Sequence, residues 1–422
     1  MYSLLLRQAT ILDKNSPFHL QKKDIFINDG KILQIADSLS VSENTRIIES
    51  QNLSVSIGFV DLRCSVPDLG AEHKETLQTA RKAACRGGFT HICVLPNMSP
   101  ALDSKDSLQY ILQKNEAHLV QALPIAAVTL KAKGEDLAEM IDLHYAGAVA
   151  FSDGLQPITN ADILLKTLLY LQPLNALLIQ RPEDTLLTRF GQMNEGITAT
   201  YLGLKGMPAL AEILIIQRDL EILRYTGGKI HFSCVSCAKS VDLIRKAKQE
   251  GLNVTCDVSA LNLYFTEEKL TDFDTNFKLN PPLRSQADKE ALWQGIADDT
   301  IDVIVSDHQP QDTESKILEF DLAQFGAINL QTAFLACSTA KKQVSLEKII
   351  EKLAQKPREI LGLPIPTIQE NYYADLCIFD SDQEQIFTTE QIISLSQNSP
   401  FVGEKLKGKI LAVCRNHFCE IF

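Results

Sequence analysis

Over the first 54 residues, apolar and polar positions alternate in short stretches, the period-two pattern of strands with one buried face. Ser3–Ile11, Asp24–Ile27, Lys31–Ile35 and Thr45–Ile48 read as strands. Asp29-Gly30 between the second and third is a hairpin signal, because both residue types tolerate the positive φ of a tight two-residue turn. From about Ser56 the pattern changes. Short apolar runs now alternate with stretches of helical period, the arrangement of βα units around a parallel sheet. Eight runs follow one another: Ile57–Leu62, His91–Leu95, Leu123–Val128, Ala148–Phe151, Ala176–Ile179, Lys229–Phe232, Asn253–Val258 and Ile301–Val305. Helical stretches such as Glu72–Cys85, Ala161–Leu171, Val241–Glu250 and Asp288–Ala297 separate them. Eight repeats fit a (β/α)8 TIM barrel better than an open doubly wound sheet. From about Thr367 strand-like pieces return, at Asp375–Phe379 and Lys409–Val413. The pattern therefore predicts an α/β protein whose barrel spans residues 55–366. Residues 1–54 and 367–422 pair beside it in one small β-sandwich module.

Composition narrows the function classes. Of 422 residues, 45% are hydrophobic and 22% charged, ample for a globular core. A net charge of -12 excludes wholesale binding to nucleic acid or to an anionic membrane, since the electrostatic footprint has the wrong sign. No stretch approaches the roughly 18 apolar residues that span a bilayer. The start, MYSLLLRQATILDKNS, lacks a basic region followed by a long apolar core. The ten cysteines, closely spaced only at Cys234 and Cys237, read as reduced thiols, and the expected compartment is the cytoplasm.

Barrel chemistry sits at the C-terminal ends of the strands, so the residues just past each run are the candidates. Arg63, Cys64, Ser65 and Pro67 follow the first run, Asn97 the second, and Ser152-Asp153 the fourth. The fifth leads into Gln180-Arg181-Pro182-Glu183-Asp184. His231 and Cys234 lie around the sixth, and the eighth ends in Ser306-Asp307-His308-Gln309-Pro310-Gln311.

These strand ends carry a resemblance that covers nearly the whole chain. Gly87-Gly88-Phe89-Thr90 through Pro96-Asn97, Phe151-Ser152-Asp153-Gly154, and Leu202-Gly203-Leu204-Lys205-Gly206-Met207-Pro208 are three of its motifs. Phe277-Lys278-Leu279-Asn280-Pro281-Pro282-Leu283-Arg284 and Asn398-Ser399-Pro400-Phe401 through Gly408 are two more. Together they resemble dihydroorotases of the type found in multifunctional pyrimidine-pathway complexes, members of the amidohydrolase superfamily. The resemblance implies a zinc site of four histidines, a bridging acid, and an aspartate that is both ligand and proton shuttle. This chain departs from that pattern. Gly58-Phe59-Val60-Asp61-Leu62-Arg63-Cys64-Ser65 stands where the family has Gly-Phe-Val-Asp-x-His-x-His, so the first His pair falls on Arg63 and Ser65. The later metal histidines fall on Arg181 and Cys234, and only the aspartates remain, as Asp307 and Asp153. Two substrate contacts are replaced by Pro67 and Gln311. Asn97, Asn280 and His308 are the remaining candidates for substrate contact, and His231 matches a family histidine that is not a usual ligand.

Metal hydrolases need about three good protein ligands to activate a water. Asp153, Asp307 and Cys234 make three by count, but Arg63 and Arg181 bring permanent positive charges to the place of a dication. The expectation is that no metal is held, that the guanidiniums pair with Asp307 and Asp153, and that Asp307 is a vestigial base. Cys234 reads as a buried small side chain, and His231 as a hydrogen-bonded structural histidine. The resemblance to inactive family members implies a structural partner of aspartate carbamoyltransferase, in a homodimer or mixed oligomer. The alternatives are an active dihydroorotase or related cyclic-amide hydrolase with a rebuilt site, and a small-anion sensor using Arg63 and Arg181.

Overall fold

The computed structural model describes residues 2–115 and 118–422. Strands β1 (Ser3–Ile11), β2 (Lys22–Asn28), β3 (Lys31–Ala36), β4 (Arg46–Ile48) and β5 (Leu53–Ile57) form the N-terminal part of a mixed sheet. The barrel strands are β6 (Phe59–Cys64), β7 (Phe89–Val94), β8 (Gln121–Ala126), β9 (Ala150–Phe151) and β10 (Leu178–Gln180). A two-residue ladder of β11 (Met193–Asn194) and β12 (Gly206–Met207) stands apart from them. The barrel resumes with β13 (Ile230–Phe232), β14 (Val254–Ser259) and β15 (Val303–Val305). The chain ends in β16 (Asp375–Ile386), β17 (Lys405–Arg415) and β18 (Phe418–Ile421).

The eight barrel strands pair parallel in chain order, each with the next. The seam between last and first closes just past β15, where Cys64 bridges His308 and the Ser65 amide donates to the His308 carbonyl at 2.8 Å. These strands are buried on both faces, which is why they read as continuous apolar runs instead of alternating ones. Val60, Leu62, Val303 and Val305 form one small apolar cluster, and Cys93, Leu95, Ile125 and Ile179 another. Both pack on Ile360 and Leu361, and they fill the barrel in layers while the main core lies between strands and helices.

The two ends of the chain meet in one sheet, with β5 pairing parallel to β1 and antiparallel to β16. Hydrogen bonding joins these module strands into a single mixed sheet of eight. Asp29 and Gly30 have φ of 46° and 83°, as the hairpin between β2 and β3 requires. Module and barrel are joined by a buried ion pair. Arg358 donates to Asp375 at 3.2 Å, to the Gly58 carbonyl at 2.6 Å and to Thr90 at 3.2 Å. Burial alone would raise Asp375, yet Arg358 and His91 hold it below the usual carboxylate range. The expectation of ten reduced thiols is corrected at one place. Antiparallel register sets Cys414 opposite Cys419, and the two are joined by a disulfide; the other eight cysteines are free and buried.

Candidate active site

Hydrogen bonds and ion pairs at the strand ends build the barrel mouth. Asp61 on β6 accepts from both the amide and the hydroxyl of Ser306, at 2.8 and 2.5 Å, and so ties the first strand to the last. Burial pushes this carboxyl up to about 7, against the pull of the Ser306 donors. Two residues on, Arg63 donates from Nε to Asp307 Oδ1 at 2.7 Å, with both side chains buried. Its Nη1 lies 3.4 Å from the Ser233 hydroxyl, and its Nη2 is buried without a partner. Burial works against the guanidinium, but its acidic surroundings hold it above its ordinary value. Asp307 has φ of 50° and takes a second bond from Gln309, at 2.8 Å.

Arg181 emerges from β10 and solves the same problem with another partner. Its Nη2 pairs with Glu183 at 2.8 Å, and its Nη1 donates to the Leu155 carbonyl. Glu183 also accepts from Thr188 at 2.6 Å and from Asn280 at 3.3 Å. Burial depresses Arg181, Glu183 opposes that, and the like charge of Arg63 adds to the depression.

The expected pairing of a guanidinium with Asp153 is not found. One oxygen of Asp153 accepts the amides of Val128 and Thr129 at 3.0 and 2.9 Å, and the other accepts the Thr129 hydroxyl at 2.6 Å. Three donors from one turn satisfy the carboxylate, so no cation is needed. Burial still raises its pKa against those bonds.

Asn97 spends its amide on the same turn, donating to the Asp153 carbonyl at 3.0 Å and accepting the Leu155 amide at 2.7 Å. The turn passes so close that a Cβ on Gly154, at φ 67°, would lie 2.0 Å from the Asn97 oxygen. That contact explains glycine there. Asn280, as noted, is engaged with Glu183. His308 is buried away from the mouth, its Nδ1 accepting the Asn329 amide at 3.1 Å and its Nε2 lying 3.4 Å from Glu75. All three candidate side chains have partners within the protein. Gln311 is held by Lys74 and the Phe325 carbonyl at 2.7 and 2.8 Å, while Pro67 is half-buried on the segment past β6.

Cys234 sits in the left-handed region at φ 57°, its amide fixed by Asp257 at 2.6 Å. Burial pushes its thiol well above the ordinary value, so it is neutral at physiological pH. Asp257 on β14 is the hub of this sector, also bonding His231 Nε2 and the Ser233 hydroxyl, both at 2.9 Å. His231 is fully buried, with Thr255 on its other nitrogen at 2.8 Å. Sequence reasoning missed Asp257 because it lies within an apolar-reading run. The available signal was a charged residue inside a strand otherwise buried on both faces. Glu183 and Ser306 were visible at strand ends but lacked a reason to be singled out.

The donor set does not fit a divalent cation. Guanidiniums have no lone pair to give and no accessible deprotonated form. Asp153 has both oxygens in use, Asp307 is joined to Arg63, and Cys234 is a neutral thiol. Among the described residues, no three His, Cys, Asp or Glu side chains converge as a metal site would require. The cavity left at the mouth, lined by Arg181, Glu183, Cys234, Asn280, Met207 and Arg284, has a volume of about 20 Å³. That is room for about one water.

Comparison with known proteins places this geometry. A family model described as Dihydro-orotase-like matches residues 54–240, and one described as Amidohydrolase family matches residues 210–416. A dihydroorotase from Pelotomaculum thermopropionicum is 37% identical over 409 residues, covering 96% of this chain and 95% of the relative. A dihydroorotase from Desulforapulum autotrophicum is 37% identical over 396 residues, 93% of each. Among solved structures, the L-hydantoinase of Arthrobacter aurescens superposes with a TM-score of 0.85 at 22% identity, covering 100% of this chain and 98% of that one. A dihydropyrimidinase from Brevibacillus agri gives 0.81 at 17% identity, covering 99% and 95%. At such identities the structural likeness speaks for the fold alone.

Proposed function

The chain belongs to the dihydroorotase family, and we propose that it is a non-catalytic member whose barrel serves as a structural partner of aspartate carbamoyltransferase. The observation that carries this reading is the Arg63–Asp307 pair. It fills, with a guanidinium and a bonded carboxylate, the positions where the family's motif puts a metal ligand and its catalytic base. Hydrolysis of a cyclic amide requires an activated water and a polarised carbonyl. Here Asp307 is held by Arg63, and Cys234 is a neutral thiol. No group is left to generate hydroxide.

The fold outlives its chemistry because βα packing does not depend on the metal. A surface role is supported by exposed apolar side chains on the segment after β10. Leu186, Phe190, Ile197 and Tyr201 are 79, 69, 90 and 85% exposed. Such side chains grouped on one segment mark a contact surface more often than a bare one.

Two measurements test the reading. Interconversion of carbamoyl-aspartate and dihydroorotate, assayed with and without added zinc, is expected to stay at background. Turnover that disappears on Asp307→Ala would overturn it in favour of an active, rebuilt site. Mixing with aspartate carbamoyltransferase is expected to give a stable complex by size exclusion, weakened by Ile197→Glu with Tyr201→Glu. A transferase that neither coelutes nor gains thermal stability removes the partner.

A further inference from the structure

A second cavity, of about 260 Å³, lies away from the mouth network, beside the end of helix Leu77–Arg86 and strands β16 and β17. Its polar lining includes Arg86, Lys409 and Gln391, and its apolar lining Phe387, Ile410 and Phe422. No aspartate or glutamate lines it. Neither Arg86 nor Lys409 has an ion pair or a side-chain hydrogen bond among the described residues. The Arg86 guanidinium lies only over the Phe422 ring, 4.3 Å from its centroid.

The acids that might neutralise these cations are engaged elsewhere. Asp380, in register with Lys409, accepts the amides of Asp382 and Gln383 at 2.9 and 3.0 Å. Glu420 takes the Cys85 thiol at 3.7 Å. Gln391 accepts the Thr388 amide through its oxygen at 2.9 Å, leaving its NH2 without an acceptor. Gln385, also in the lining, donates to the Gly408 carbonyl at 3.0 Å and keeps its oxygen free, so the cavity presents two unpaired cations beside neutral amides, in a chain whose net charge is -12. Arg86 alone has an ordinary explanation, as a cation at a helix C-terminus stacked on an aromatic ring. That explanation does not reach Lys409, or the absence of aspartate and glutamate from the lining.

We propose that this cavity binds a small organic anion, with a phosphate or carboxylate held by Arg86 and Lys409 and an apolar part laid against Phe387, Ile410 and Phe422. Its size is near the lower end of small-molecule sites, and its apolar floor with few convergent polar groups is their usual make-up. The site is independent of whether the barrel mouth turns over substrate.

Isothermal titration of the full chain with phenyl phosphate, benzoate and inorganic phosphate tests it. Saturable binding of one equivalent of phenyl phosphate or benzoate is expected, weakened about tenfold or more by Arg86→Gln and by Lys409→Gln. Whichever of the two binds more tightly identifies the headgroup. Inorganic phosphate that binds as well as phenyl phosphate overturns the apolar half of the site. Absence of saturable binding, or binding untouched by Lys409→Gln, overturns the whole. Circular dichroism checks both variants. Should Arg86→Gln fail to fold, Lys409→Gln carries the test, since that side chain has no ion pair or hydrogen bond among the described residues.

Discussion

Arg63 and Arg181 stand at the ends of two barrel strands, both where a family histidine belongs, and their surroundings differ. Arg63 takes over the family's own aspartate, Asp307, across the seam between first and last strands. Arg181 pairs with Glu183, two residues along its own loop, and that acid is shared with Thr188 and Asn280. The remaining family carboxylate, Asp153, needs no cation because a neighbouring turn supplies three donors. Removing a metal thus leaves a set of separate charge problems at the strand ends. A long-range pair spanning the barrel solves one, a local pair the second, and backbone amides the third.

The comparison predicts unequal costs. Arg63→Met leaves Asp307 in a buried place with only Gln309 as donor, and should destabilise by about 3–5 kcal/mol in chemical denaturation. Adding Asp307→Asn should recover most of that loss, because it removes the uncompensated buried charge and tolerates the positive φ of this position. Arg181→Met should cost less, about 1.5–3 kcal/mol, since Glu183 keeps Thr188 and Asn280. Equal costs at the two sites would break the distinction. Asp61 sharpens it further through pH. Its folded pKa, raised by burial to about 7, exceeds the unfolded value near 3.9, so the folded state binds the proton more tightly. The stability it contributes is fully present below about pH 4 and is lost as pH rises to about 7. Asp61→Asn should flatten this part of the stability profile, by about 2–3 kcal/mol between pH 5 and 8. An unchanged profile would mean that Asp61 ionises freely in the fold.

The barrel was legible because its strands, buried on both faces, leave apolar runs separated by helices. Ala161–Leu171 has the bounds that its helical period predicts, with Asn160 as its cap. The edges were less legible: β5 and β6 are separated by Gly58 alone, and one apolar run across them read as the start of the barrel. At the site, the losses of Arg63, Ser65, Arg181 and Cys234 were readable from local motifs. Their partners were not. Whether a guanidinium meets Asp307, Glu183 or Asp153 is decided by rotamer and loop path, which no spacing encodes. Asp257 was hidden for the opposite reason, as a charge inside a strand that otherwise reads as core.

On the proposed reading, guanidinium–carboxylate pairs stand in the place of the metal. Elemental analysis of the full chain, purified without chelator and dialysed against added zinc, tests it most directly. Zinc well below one equivalent is expected, with stability unchanged by the metal. One equivalent of zinc that survives chelation and raises the unfolding temperature would contradict it.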